Sequence, residues 1–302
     1  LLAGAGALDF KQLRLGITDY TACLIPTVIL GQRFDGFSDG MTVSADQAFG
    51  DTDGDGVPEI AVGRLPTTKT QDVAVVVQKT LAYEEGLRWK RQALLAPDWD
   101  NTGTKYYPFS AGTDRLIVPC GQAGKPVVKV YPTDNTGNLA PLRVGVLLPA
   151  LSAGASLFHF FGHADELNLG GGGGKLLTSP THISSSNWSS PAVAVLMGCR
   201  ANRWQSLTTT VCILPYGLFA AGTGFVAGLG STGNMMADEA ERLAVELYTG
   251  TAAPGTLRLG DVLLRGLRGM AGTAPAERLL CVGLVGDPAL VFSTPYRGTA
   301  MT

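Results

Sequence analysis

Residues 155–168 read ASLFHFFGHADELN, an apolar run rich in aromatic side chains that stops on glycine and histidine and then turns polar. A run apolar on both alternating faces fits a strand covered by helices on both sides rather than one with a wet face. A second run of this kind, PAVAVLMG at 191–198, ends on Cys199, 36 residues after His163. If the two runs are parallel neighbours joined by a crossover, the imidazole and the thiol emerge together at the carboxyl edge of one sheet. That edge is where open α/β folds bind their ligands.

Working outward, further strand-like runs occupy 23–31, 59–65, 92–98, 126–132, 224–230 and 282–292. Segments 68–87, 139–152, 236–250 and 259–272 carry apolar residues at spacings of three and four, and Gly250 is a stop signal for the third. The alternation predicts an α/β fold whose mostly parallel sheet is flanked by helices on both faces. A smaller N-terminal α/β part is expected over 1–90 and a larger part over 91–302, with the charged RWKRQ (88–92) at the join. The glycine run at 170–174 is expected to be a mobile loop, because glycine loses the most entropy on ordering.

Composition narrows the function classes. With 302 residues, 45% of them hydrophobic, the chain has enough apolar material for a large core. A net charge of −2 and a pI of about 5.9 supply no basic footprint for nucleic acid. No apolar stretch approaches the roughly 20 residues needed to span a bilayer, so no membrane span is expected in this segment. The opening LLAGAGALDF has no initiating Met and reads as the interior of a longer precursor. Five cysteines, at 23, 120, 199, 212 and 281, lie far apart and are odd in number, which argues against a disulfide scaffold. They and the three histidines show no zinc-ligand spacing.

A thiol beside an imidazole at a sheet edge is the minimum equipment for nucleophilic catalysis on an acyl carbon. Each residue also has a plainer reading, Cys199 as a small buried hydrophobe and His163 as a hydrogen-bonded core residue. If the thiol is activated, it is expected to carry a depressed pKa and to alkylate below about pH 8, unlike the other four cysteines. His159 lies inside the apolar run and reads as a packing residue, while His182, in a polar loop, reads as solvated. In DTDGDG, Asp51, Asp53 and Asp55 with Gly56 copy the opening of a calcium loop, but the twelfth position is Val62 instead of Glu. The loop is therefore not an EF-hand. It is either a structural Ca2+ site or a polar turn before a strand.

SLFHFFGHADELN (156–168) and SSPAVAVLMGCRANRW (189–204) together resemble the His and Cys segments of the gingipain-like cysteine peptidases, which share the caspase-like fold. The segment DTDGDGVPEIAVGRLPTTKTQDVAVVVQKTLAYE (51–84) and the closing GLVGDPALVF (283–292) resemble two further motifs of that family, in the family's order. The resemblance implies a cysteine endopeptidase that cleaves peptide bonds through a thioester, with Cys199 as nucleophile and His163 as proton shuttle. It implies an acidic partner orienting the histidine, for which ALLAPDWDN (93–101) offers Asp98, or Asp100 as the alternative. It implies an oxyanion site formed by the N–H groups of Cys199 and Ala164, and here the chain departs from the pattern, since Ala164 stands where the family has glycine. It places Gly233, Asn234, Met235 and Met236 on the substrate, and cleavage after a basic residue would need a carboxylate such as Asp98, Asp100, Asp114 or Asp238. Structural calcium, a protein or peptide substrate, a propeptide or regulatory partner and a secreted or cell-surface setting belong to the same expectation. The alternative reading is a catalytically silent caspase-like module used for binding or assembly.

Overall fold

The computed structural model describes residues 1–5, 25–34, 37–87, 91–100, 107–133, 136–172, 174–185, 188, 191–205, 212–249 and 256–293. The chain opens with β1 (Leu2–Ala3), β2 (Ile29–Phe34), β3 (Phe37–Ser44), β4 (Gly63–Leu65) and α1 (Thr70–Glu85). It continues through β5 (Ala93–Pro97), α2 (Phe109–Asp114), α3 (Ile117–Gln122), β6 (Val127–Lys129), α4 (Ala140–Leu142) and α5 (Leu148–Ala153). Then come β7 (Leu157–Phe161), β8 (Asn168–Leu169), β9 (Leu177–Thr178), α6 (Thr181–Ser184), β10 (Ala192–Met197), α7 (Ile213–Phe219) and β11 (Phe225–Ser231). The last part holds α8 (Ala237–Tyr248), β12 (Leu257–Arg258), α9 (Leu259–Gly269), α10 (Ala276–Leu279), β13 (Val282–Val285) and β14 (Val291–Ser293).

One eight-stranded sheet, in the order β1-β4-β13-β11-β10-β7-β5-β6, organises the molecule. Neighbours in it are parallel except β11 with β13. Alternate residues of its central strands feed two cores. Leu95, Leu157, Phe161, Val193, Val195 and Met197 face one, under α8 and α9, while Leu94, Phe158, Phe160, Ala194 and Leu196 face the other, under α1, α5 and α7. This is why the runs read as apolar throughout. Burial of each Phe or Leu removes apolar surface worth about 1.5–3 kcal/mol from water. α8 and α9 pack by the spacing their sequences announce, burying Leu243, Ala244 and Leu247 on one and Leu259, Val262, Leu263 and Leu267 on the other.

The predicted helix at 139–152 forms, but as α4 and α5 joined by a π-helical turn, Arg143–Leu147. Pro149 lies just inside α5 and has no N–H to donate, so the wider turn passes over a position where an α-helical bond could not form. The run at 282–292 is two strands, because Gly286 turns the chain at φ 111° between them. Among the described residues of the run at 23–31, strand begins at Ile29, the start of β2, which pairs with β3 as a hairpin outside the main sheet. Residues 23 and 24 of that run lie outside the described residues. Strands from both sides of residue 90 share the main sheet, since β1 and β4 join it through β13. The boundary expected there therefore falls between strands of one sheet. The buried Arg64 of β4 ties the hairpin region to this edge. It pairs with Asp46, donates to the carbonyls of Gly4, Ile25 and Pro26, and stacks 4.5 Å from the Trp204 ring.

Candidate active site

β5, β7 and β10 are adjacent and parallel, with Pro97 opposite Phe161 and Phe161 opposite Met197. Asp98, His163 and Cys199 follow these paired positions by one or two residues, so all three leave the sheet at the same carboxyl edge. The backbone there is closely packed. A side chain at Gly198 would lie 2.6 Å from the Gly162 carbonyl and 2.7 Å from the Ala164 methyl. Position 198 must therefore be glycine for the two strand ends to approach.

Asp98 is fully buried and gathers donors. Its Oδ2 accepts the backbone N–H of His163 at 3.0 Å and of Gly171 at 2.9 Å, and its Oδ1 accepts the N–H of Trp99 at 2.9 Å. His163 Nδ1 lies 2.9 Å from the same Oδ2. A carboxylate only accepts, so Nδ1 carries the proton and the acceptor nitrogen of the neutral ring is Nε2. The ring also rests edge-on against Phe109, centroids 5.1 Å apart, and its side chain stays 54% exposed. It is thus held on two sides and open on the rest.

The glycine run proves to be packed instead of mobile among its described members. Gly170 donates to the His163 carbonyl at 2.8 Å, and a β-carbon on Gly171 would press on the His163 ring at 3.0 Å. Side chains at Gly172 and Gly174 would collide with Gly137 and Asn138. Here glycine serves close approach, which supplies the N–H that Asp98 needs.

Cys199 is partly buried, and its Sγ contacts the N–H of Met235 at 3.4 Å and the Met235 carbonyl at 3.6 Å. Burial pushes its thiol up from the usual range, and the Met235 N–H and the charge of Arg200 pull the other way without reversing the shift. This differs from the depressed pKa expected of an activated thiol: the upward shift favours the protonated form. Ala164 forms an isolated antiparallel bridge with Leu169, flanked by hydrogen bonds from Gly170 to His163 and from Asp165 to Asn168. A residue in such a non-hydrogen-bonded pair turns its own N–H away from its partner. The methyl at this position packs over Gly198.

Gly233, Asn234, Met235 and Met236 lead from β11 into α8, and through Met235 they wrap the nucleophile candidate; the Gly233 carbonyl accepts the Arg200 N–H at 2.7 Å. Asn234 and Met235 line a shallow cleft with Leu243, Met270 and the Glu239–Arg278 ion pair. Of the candidate specificity carboxylates, Asp98 is committed to His163. Asp100 accepts the Ser110 N–H at 2.9 Å, Asp114 is held by Lys129 and Tyr131, and Asp238 is exposed beside Arg242. The sequence reading missed Glu241, a buried carboxylate on α8 that accepts the Tyr107 hydroxyl at 2.7 Å and pairs with Arg115.

The other histidines separate cleanly. His159 is fully buried with Nδ1 3.0 Å from the Tyr248 hydroxyl, and burial drives its pKa down to about 3. It is a neutral packing residue, as its place in the apolar run suggests. His182 is not simply solvated: its Nδ1 accepts the Thr178 N–H at 2.8 Å, and partial burial lowers its pKa. Cys120, Cys212 and Cys281 are buried thiols outside any disulfide among the described residues, and Cys23 lies outside the described residues. In the acidic loop, carboxylate oxygens of Asp51, Asp53, Asp55 and Glu59 come within 4.8 Å of one another. Glu59, the fourth of these, was legible only as the acidic residue after Pro58. Such a set of hard oxygen donors on one turn fits Ca2+.

No curated protein matches the chain. A family model, Peptidase family C25, matches residues 1–293. Among solved structures, the Arg-specific cysteine proteinase gingipain R (RGPB) is similar at 18% identity and a TM-score of 0.66, covering 86% of this chain and 61% of that one. The complex of Porphyromonas gingivalis RgpB pro- and mature domains is similar at 17% identity and a TM-score of 0.66, covering 86% of this chain and 62% of that one. A further protease structure is similar at 15% identity and a TM-score of 0.63, covering 84% and 60%. The chain thus spans about three fifths of the length of these proteins, and at such identities the likeness is one of fold.

Proposed function

The chain belongs to peptidase family C25, a family of cysteine-type peptidases, and from that premise we propose that it hydrolyses peptide bonds with Cys199 as nucleophile and His163 as proton carrier. The observation that carries the reading is the Asp98 carboxylate, 2.9 Å from His163 Nδ1 at the sheet edge where Cys199 also emerges. Orienting the ring this way leaves Nε2 to take the thiol proton as sulfur attacks the substrate carbonyl, which suits a thiol that burial keeps protonated. The oxyanion then faces the N–H groups of Cys199 and Ala164. His163 passes the proton to the leaving amine, and water, activated by the same ring, releases the acid from the thioester. His163→Ala is expected to lower the rate by about 10² to 10⁴ with the melting temperature little changed, because the ring is exposed. Cleavage of a positional-scanning peptide library by parent and variant checks this. Equal rates would remove His163 from the chemistry, and an inert parent would favour the silent binding module.

The same proposal extends to cleavage after a basic residue. Glu241 lies buried on the helix that succeeds residues 233–236, and it already holds the guanidinium of Arg115, a side chain 64% exposed. A place that accepts one guanidinium from the surface suits another brought by substrate. The RgpB complex joins pro- and mature domains of that protein, and a propeptide is the partner we propose for this chain as well.

For the acidic loop we propose structural Ca2+ held by Asp51, Asp53, Asp55 and Glu59, away from the chemistry. Loading at 100 times the dissociation constant would add about 2.7 kcal/mol by mass action. Calorimetry should therefore show a melting temperature several degrees higher with calcium than with chelator. An unchanged value would leave the loop as an ordinary turn.

A further inference from the structure

The last sheet bond between the two strands runs from the Gly162 N–H to the Met197 carbonyl at 3.1 Å; beyond it two separate loops carry His163 and Cys199. The His163 loop is pinned toward β5 by Asp98, and the Cys199 loop toward β11 by Met235 and by the Arg200 N–H on Gly233. Each set of bonds ties its loop to a different side of the sheet, while Gly162, Ala164 and Gly198 keep the loop starts in contact. Further out, Glu166, three residues after His163, bridges the two loops: its Oε1 is 3.3 Å from Arg200 Nη1 and 3.1 Å from Arg203 Nη1. All three side chains are largely covered, at 18%, 33% and 21% exposure, so the pairs are shielded from the screening that weakens surface ion pairs.

The surrounding backbone is built to present this carboxylate. Asp165 Oδ1 accepts the N–H groups of Leu167 and Asn168, both at 2.8 Å, which folds the chain sharply around Glu166. The Glu166 carbonyl accepts the N–H of Ile213 at 2.8 Å, fixing the same residue to the start of α7. On the other side Arg200 adopts φ 57°, the left-handed region that a non-glycine residue occupies only when its surroundings hold it there. The Gly233 hydrogen bond and the Glu166 pair are those surroundings, and the strained residue comes directly after the nucleophile.

We infer that Glu166 is a positioning residue, whose carboxylate clamps the His163 loop to the Cys199 loop through Arg200 and Arg203. The inference rests on the peptidase reading above. Its effect is on the approach of ring and sulfur, not on substrate affinity, since the clamp joins the two loops to each other.

Glu166→Gln keeps size and one acceptor but removes the charge, so it tests the clamp with little change in packing. Two readouts apply: steady-state kinetics, and bridging of Cys199 to His163 by 1,3-dibromoacetone, scored by mass spectrometry as the ratio of bridged to singly alkylated Cys199. The ratio cancels any change in thiol reactivity. The expected result is a kcat lower by about tenfold or more with KM within about twofold, and a bridging ratio lower by about fivefold, since misplacement of about 1 Å costs on the order of 10². Glu166→Asp, which restores the charge on a shorter arm, should recover part of both. A kcat and a ratio within about twofold of the parent would overturn the clamp and leave the dyad standing. A parent that gives no bridge would instead overturn the dyad, and the clamp with it. Should Glu166→Gln fail to fold, Arg203→Lys carries the same two readouts.

Discussion

Cys199→Ala is expected to abolish peptide cleavage, a loss on the order of 10⁶ in kcat, while the melting temperature stays close to that of the parent. The thiol's contacts explain the second half. Its hydrogen-bonding contacts are with the N–H and carbonyl of Met235, at 3.4 and 3.6 Å, both weak for sulfur, and it stands at a strand end. The first half comes from the chemistry, because removing the attacking atom leaves nothing to form the acyl-enzyme, whatever the oxyanion donors still contribute. Cys212→Ala is the contrast. That side chain is buried at the start of α7 with its sulfur 3.4 Å from the Ala201 carbonyl, so its removal should cost stability and spare the rate. Cleavage assays on both variants, with thermal melts alongside, check the pair. A Cys199→Ala protein with parental activity would remove this residue as nucleophile.

The second large effect is expected at Asp98→Asn, which should fail in two ways. Oδ2 accepts from His163 N, His163 Nδ1 and Gly171 N, and Oδ1 accepts from Trp99 N. An amide has one accepting oxygen and one donating nitrogen, so whichever way it is turned a donor faces a donor in a site closed to water. Leaving such a group unsatisfied costs about 1–3 kcal/mol. If the NH2 faces His163, it also stabilises the wrong tautomer, with the proton on Nε2, where the thiol's proton must go. In a comparable triad that exchange lowers kcat by about 10⁴. Kinetics and chemical denaturation together test the prediction. A variant as fast as the parent would show that the histidine needs no carboxylate.

The strands that build the site were legible because they are apolar on both faces, as LFHFF and AVAVLM are, and central parallel strands have no wet face to alternate with. Other elements lacked that signal. β3, FSDGMTVS, has no apolar run and pairs in a hairpin beside the sheet. α7, ILPYGLF, was hidden by Pro215 and Gly217, yet tertiary contacts impose the helix. Gly217 makes room for the Phe225 ring, and the buried Lys79 caps the carbonyls of Gly217 and Leu218 at 2.9 and 2.8 Å. The glycine run misleads because composition reports the entropy of ordering a segment but not what the segment touches. Asp98 could be placed only by analogy with a family, whereas Glu166, Arg200, Arg203 and Glu241 left no mark at all. Their pairings join residues from separate loops and helices, and charge alone does not say which will meet.

The three strands that lead to Asp98, His163 and Cys199 lie side by side in the sheet, with both cores resting on them. The proposed chemistry and the foundation therefore share the same strands. A change in β5, β7 or β10 that alters the reaction also alters what the whole chain stands on, and natural variation has little freedom there. The segment 233–236, expected from the family resemblance to meet substrate, and the loops around it hang from the rim and bear less of that weight. Diversification of such a protein, in nature or by design, is therefore channelled into what it recognises and away from how it cuts.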